Sequence, residues 1–476
     1  MNQILKGLGV DHPPLWFFDP STSKWGLVFL GLWGVGQTMI IFLAGLLDVP
    51  AHLYEAADIE GAGPLQKFRY VTLPMMSPVI FFSLVIGVIY GFQYFTQAYV
   101  ASFAVAGSAQ SSAAVNVGSP QGSLLFYSLY LYVKGFSNFR MGYASAMAWV
   151  LFLITMACTA ILIKTSRRWV HYQGASDSHD ARPAGRPRIA ASVVQRPVPP
   201  QVRRRRFLLS VGNHAVMIAV AMIFLLPVVF ILLTALMTDQ QVLGANLWPN
   251  PFRWSNFTEV FHAIPLFTYT RNTFLVASLS TIGVVVSCMP VAYALSRMRW
   301  KGREATFLVV LSTMMLPFQV TVIPLYILFV RFGWIGTMKP LIVPLFFGDA
   351  FTIFLLRQFF LTIPSELSDA ARVDGASEWQ IMTRLIVPLA KLAIAAVALF
   401  QFLYSWNDFF APLLYLGENP KLWTLSIGLS EFRGQFQTQW NLTMAASVLF
   451  MLPVIILFFL AQRVFVEGVT LTGVKG

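Results

Sequence analysis

Two short acidic stretches carry the residues of this sequence best suited to chemistry between molecules. The first, PAHLYEAADIEGAGPLQKFRYVTLP, runs from Pro50 to Pro74, and the second, PSELSDAARVDGASEWQIMTRLIVP, runs from Pro364 to Pro388. Adding 314 to any position in the first gives its counterpart in the second, without a gap. Pro50/Pro364, Leu53/Leu367, Ala56/Ala370, Ala57/Ala371, Gly61/Gly375, Ala62/Ala376, Gln66/Gln380 and Pro74/Pro388 are identical pairs, and Glu55/Asp369 and Glu60/Asp374 keep their charge. A polar stretch repeated this faithfully between long apolar runs marks an internal duplication. Glu55 and Asp369 are placed to meet a basic residue on a partner. Bond-making machinery is missing: there is no G-x-x-x-x-G-K-[ST] to cradle ATP phosphates, no metal-ligand cluster and no catalytic triad, and the six His are scattered.

The local chemistry predicts the shape that positions these carboxylates. Pro50 and Pro364 each end one helix and can open another. Small and acidic residues suit the first turn that follows. Gly61 and Gly375 then break the helix, because glycine enters the left-handed region freely. A second short helix follows, and Pro74 and Pro388 are expected to redirect the chain into the next apolar run. The expectation is a helix–Gly–helix elbow outside the bilayer, with Ala faces for close packing.

Composition sets the surroundings. Hydrophobic residues make up 57% and charged residues 11%, where a soluble chain carries about a quarter charged residues. Mean hydropathy is +0.67. Cys158 and Cys288 both sit in apolar runs and read as small buried residues rather than a disulfide or a metal pair. The net charge of +13 gathers between apolar runs, which fits membrane orientation and argues against nucleic acid. About nine spans, three plus six, are long enough to cross a bilayer: 25–47, 76–102, 141–163, 208–236, 273–296, 305–331, 338–361, 390–416 and 442–465. Residues 103–137 read as a loop with a Tyr/Phe-rich end. Residues 165–206, rich in Pro and Arg, read as a disordered cytoplasmic linker between domains 1–164 and 207–476. The basic segment SRMRWKGRE, 296–304, anchors the topology inside. Alternating the spans from it puts both elbows, the linker and the C-terminus in the cytoplasm and Met1 outside.

E-A-A, then Asp/Glu-Gly-Ala, a Gln and a terminal Leu/Val-Pro resemble the EAA loop of ABC-importer permeases, of the carbohydrate type related to maltose and glycerol-3-phosphate permeases. Residues 207–476 resemble a complete six-span subunit. Met315-Leu-Pro, Ile323-Pro-Leu-Tyr, Trp406-Asn-Asp-Phe and Thr472-Gly-Val-Lys-Gly extend the likeness. Residues 1–164 resemble the last three spans of the partner subunit, whose three upstream spans have no counterpart in this sequence. A truncated start is therefore expected over a self-sufficient nine-span permease.

The resemblance implies an all-α polytopic membrane protein like the type I ABC-importer permeases, multi-pass in the bacterial inner membrane. Its elbows, through Glu55, Ala56, Ala57, Gly61, Asp369, Ala370, Ala371 and Gly375, would dock on separate ATPase subunits. An extracytoplasmic solute-binding protein would deliver the substrate, with a further permease subunit left open and lipid all round. The chain itself would bind no cofactor, since ATP and Mg belong to the partner, and would not be an enzyme. Trp406, Asn407 and Asp408, and the matching Gln93 and Tyr94, fall deep in the span after each elbow. Rings that stack on a sugar and amides or carboxylates that bond its hydroxyls suit a carbohydrate pathway. The alternative places Asp408 at the outer interface and Trp406 in an aromatic belt. Asn441, Tyr143 and Gln319 are further candidates. Two rival functions remain: an ion-coupled secondary carrier, which needs charges buried mid-span where Asp349 and Arg357 are expected towards the span ends, and an inactive permease remnant or scaffold.

Overall fold

The computed structural model describes residues 14–106, 118–166 and 200–470, apart from Asp48, Leu243, Ala245, 315–317, Glu418 and 433–438, together with residues 9, 12, 169 and 170. Every regular element among the described residues is helical. Most of the expected linker and the C-terminal Thr472-Gly-Val-Lys-Gly lie outside them.

The first apolar run forms α1 (Pro20–Leu32) and α2 (Gly36–Leu47). Asp19 caps α1 by accepting the Ser21 N–H at 2.8 Å. A 3-10 turn at Trp33–Val35 joins the two helices, so the expected span 25–47 is interrupted at its centre. Gly31, Gly34 and Gly36 flank this turn, and glycine weakens a helix interior. The first elbow follows as α3 (Ala51–Ile59) and α4 (Pro64–Lys67), then a π turn at Phe68–Thr72 and α5 (Leu73–Phe92). Pro74 does not redirect the chain. The Leu73 N–H bonds the Phe68 carbonyl, five residues back. This widened turn keeps the proline ring clear of the carbonyl it would otherwise strike. The first half continues with α6 (Thr96–Ala106), α7 (Tyr127–Tyr132) and α8 (Met141–Ser166). The Tyr/Phe-rich end of the expected loop is therefore helical.

The second half comprises α9 (Pro200–Ala235), α10 (Asn256–Ala263), α11 (Leu266–Arg297), α12 (Arg303–Thr313), α13 (Phe318–Arg331), α14 (Lys339–Ile342), α15 (Ala350–Thr362), α16 (Ser365–Val373), α17 (Glu378–Gln380), α18 (Lys391–Asn407), α19 (Phe410–Tyr415) and α20 (Trp440–Thr470). A π turn at Ile381–Ile386 matches the one in the first half. Here the chain does turn, by 80°, between Glu378–Leu389 and Lys391–Asn407. The break falls at Ala390, two residues after Pro388.

Six helical segments among the described residues are long and apolar enough to cross a membrane, and the bent pair makes a seventh. The other two expected spans, 25–47 and 305–331, are each formed by two shorter helices.

Helix α11 is the centre of the second half and packs on α15 and α18. Val284, Cys288, Ala292, Leu356, Phe360, Ile381, Ile386 and Val397 form its buried core. The Cys288 sulfur accepts the Asp349 N–H at 3.1 Å, and both cysteines are free. The halves meet through α8 and α13, through the stacked rings of Phe82 and Phe354 at 6.3 Å, and through Phe95 against Phe410 at 4.4 Å.

Candidate functional site

The two elbows are built by the same local devices. Pro50 and Pro364 stand in extended backbone just before α3 and α16. Gly61 and Gly375 close these helices at φ +76° and +81°. The Ala62 N–H returns to the Ala57 carbonyl at 2.9 Å, and the Ala376 N–H to the Ala371 carbonyl at 3.0 Å. These are the six-to-one bonds of a glycine-terminated helix. The repeated glutamine has an equally local role. Gln66 Oε1 accepts the Gly63 N–H at 2.8 Å, and Gln380 Oε1 accepts the Ser377 N–H at 2.8 Å. Each thereby satisfies an orphan donor at the start of the second arm.

Ala56 and Ala370 are exposed, and Ala57 and Ala371 are half-buried. Glu55 and Asp369 are both exposed. Asp369 accepts from Arg372 Nη1 at 2.7 Å, whereas no ion pair among the described residues involves Glu55. Sequence reasoning passed over the apolar tips. Ile59 is 88% exposed and its counterpart Val373 87%, while Leu65 and its counterpart Trp379 are exposed beside them. Burying an aliphatic side chain of this size contributes about 1.5–3 kcal/mol, and each elbow leaves one bare at its tip. The signal was available, since both positions are apolar in both copies.

The clasp between arms differs. In the first elbow Asp58 pairs with Lys67. In the second, position 372 inverts the charge: Arg372 Nε donates to Glu378 Oε1 at 2.8 Å. The Arg372 guanidinium holds the Glu378 carboxyl below its ordinary range. The Tyr293 hydroxyl donates to the other Glu378 oxygen at 2.5 Å.

The repeat continues into the spans. Helix α5 ends at Phe92 and α6 resumes at Thr96; α18 ends at Asn407 and α19 resumes at Phe410. The interruptions, 93–95 and 408–409, match under the same offset to within a residue, and the Phe95–Phe410 contact brings them together. Non-helical backbone at membrane depth is tolerated where protein surrounds it or where it lines a cavity. Tyr94 packs on Phe126 at 5.4 Å. It also lines a cavity of about 330 Å³ with Leu30, Gly31, Gly34, Thr38 and Gln97. Gln93 follows α5, its N–H on the Tyr90 carbonyl. Asn407 is exposed and turns its amide back to the Leu403 carbonyl at 2.8 Å. Asp408 accepts the Ala411 N–H at 3.3 Å at the start of α19.

Trp406 departs from expectation. It is 1% exposed and packed between Phe402 and Phe450, because its face of α18 turns towards α20. It is a core residue and does not present its ring to a pathway. Tyr90 and Tyr404, which sequence reasoning missed, are exposed instead. They are counterparts, 67% and 72% exposed. Asn441 is buried and Tyr143 exposed; the side chain of Gln319 lies outside the described ones.

Asp349 corrects a second expectation. It is the eleventh residue of the 24-residue segment Lys339–Thr362, near its middle rather than its end, where it accepts the Thr352 N–H at 2.8 Å and caps α15. Arg357, nearer the elbow, donates to both Glu304 oxygens at 3.1 and 3.2 Å and to the Leu295 carbonyl at 3.1 Å. It also lies over the Phe307 ring at 4.0 Å. It braces three helices and is not a free mid-span charge.

The family described as binding-protein-dependent transport system inner membrane component matches residues 13–172 and 280–471. The chain belongs to this family. It is a permease component of a binding-protein-dependent transport system, with two family segments in one polypeptide. The probable ABC transporter permease protein YesP of Bacillus subtilis is 43% identical over 173 residues, 36% of this chain and 52% of that protein. This chain thus spans about half the length of YesP. The arabinooligosaccharides transport system permease protein AraQ of Halalkalibacterium halodurans is 34% identical over 229 residues, 48% of this chain and 81% of that protein. The sn-glycerol-3-phosphate transport system permease protein UgpE of Yersinia pestis is 31% identical over 270 residues, 55% of this chain and 95% of that protein. A bacterial ABC transporter involved in the import of the acidic polysaccharide alginate aligns with TM-score 0.48 and 25% identity, covering 55% of this chain and 97% of that one.

Proposed function

We propose that this permease serves an ATP-driven importer of a sugar or related polyol, and that separate ATPase subunits dock on both elbows. The pair of bare apolar tips, Ile59 and Val373, carries the reading: the same surface occurs twice, at one offset, beside exposed carboxylates. A groove with an apolar floor and a basic rim complements it. The sugar rests on the printed substrates of AraQ and UgpE and on the tyrosines and carboxylates between the halves. An extracytoplasmic binding protein delivers the substrate; ATP and Mg stay on the ATPase, and this chain performs no catalysis. The elbows, the linker 165–206 and the C-terminus face the cytoplasm and Met1 faces outside, with 1–164 and 207–476 as the two domains and lipid, or a further permease subunit, around them.

The test is purification of the full chain from its native membrane in mild detergent, with identification of what accompanies it. An ATPase is expected, cross-linkable to Ile59→Cys and Val373→Cys, with ATP-dependent sugar uptake by vesicles. Uptake driven by a proton or sodium gradient, or a chain recovered without any ATPase, would overturn the reading.

A further inference from the structure

The second elbow is fastened to the membrane helices through α11. The last turn of α11 grips the second elbow along its whole length. Arg297 donates to the Ile363 carbonyl, just before α16. Arg372, inside α16, reaches the Arg297 carbonyl at 3.4 Å. Glu378, opening the second arm, receives both the Tyr293 hydroxyl at 2.5 Å and Arg372 Nε at 2.8 Å. Tyr293 is 3% exposed and shares a core with Ile381, Met382 and Ile386 of the second arm. A charge-assisted bond from a buried phenol is short and directional, so it couples tilting of the elbow to α11. The first elbow carries other residues at the matching positions. The counterpart of Glu378 is Pro64 and that of Arg372 is Asp58. That elbow closes on itself through Asp58–Lys67 and Tyr54–Thr72.

We propose that Tyr293 is a positioning residue which passes movement of the second elbow into α11 through Glu378 and Arg372. This rests on the docking reading above. The chain Glu378–Tyr293 links residues 85 positions apart and joins the elbow to the helix around which its half is packed. Movement imposed at Val373 is therefore carried into α11, which runs on to Leu266.

The experiment uses the full chain with its co-purified ATPase, Cys158 and Cys288 replaced by Ala, and spin labels at Phe267→Cys and Tyr143→Cys, near the elbow-remote ends of α11 and α8. The interlabel distance is measured without nucleotide and with ATP plus vanadate. Cross-linking from Val373→Cys to the ATPase reports docking separately. The unsubstituted tether is expected to cross-link and to shift in distance. Tyr293→Phe, which keeps the ring and removes only the hydroxyl, should cross-link equally and lose most of the shift. Glu378→Gln provides a second cut at the same joint, and Lys67→Met, which opens the first elbow's clasp, should keep the shift. A full shift in both Tyr293→Phe and Glu378→Gln, an equal loss in Lys67→Met, or cross-linking with no shift in the parent would overturn the inference and leave docking standing. Absence of the cross-link in the parent would instead sink the docking reading, and the inference with it.

Discussion

Residue 68 is 55% exposed while its counterpart, residue 382, is 3% exposed, although the glycines that turn the two elbows differ by only 5° in φ and the glutamines that cap them hold the same 2.8 Å. The backbone of an elbow is thus a local matter, written in Pro, Gly and Gln. Its attachment is not local. In the second half α11 lies over the elbow and buries Ile381, Met382 and Ile386. In the first elbow Phe68 is exposed, whereas Thr72 is buried and bonded to Tyr54.

This contrast is open to direct attack. Met382→Ala should cost about 2–5 kcal/mol, as for a buried Met, and Phe68→Ala about 0.5 kcal/mol, as for a surface change. Thermal unfolding of the two variants in mild detergent compares them, and equal losses would break the asymmetry. Arg357→Met removes three bonds from a buried guanidinium, whereas its counterpart position is the exposed Leu43. A loss of about 1.5–3 kcal/mol, against almost none for Leu43→Met, would sharpen it.

The glycines test the shared part. A Cβ at Gly61 or Gly375 meets nothing within 4 Å, so valine pays only for the left-handed backbone, about 1–2 kcal/mol. The loss should be nearly the same in both elbows, and ATP hydrolysis should then run without transport. Normal ATP-driven uptake by either variant would show that the elbow angle is not critical.

The smallest effect is one of pH. Glu378 is depressed below its ordinary 4.5, first by its bond from Arg372. A lowered carboxylate contributes stability that is complete above the unfolded value and is lost as pH falls through the folded one. Hydrogen-exchange protection of residues 365–380, corrected for intrinsic rate, should hold down to about pH 4.5 and fall below it. Glu378→Gln should flatten that decline, and an unchanged decline would place its cause elsewhere.

Much of the molecule was legible without coordinates. The apolar runs foretold an all-α membrane protein because a chain in lipid must satisfy its backbone within helices. The duplicated stretch foretold two elbows turning at Gly61 and Gly375, because a left-handed residue followed by a capped helix needs only neighbours within six positions. The rest depended on distant partners. Pro74 and Pro388 are identical in sequence, yet the chain runs straight past one and turns by 80° beyond the other, since the packing of each following helix decides. Trp406 and Tyr404 lie two residues apart on one helix, and only the position of α20 makes the first a core residue and leaves the second exposed. The bond from Tyr293 to Glu378 needed α11 to arrive from 85 residues away. Turns and caps are governed by short-range bonding and sterics, which a sequence carries in its residue types. Which face of a helix is buried, and which elbow is held, depends on what packs against it, and the tertiary structure alone decided that.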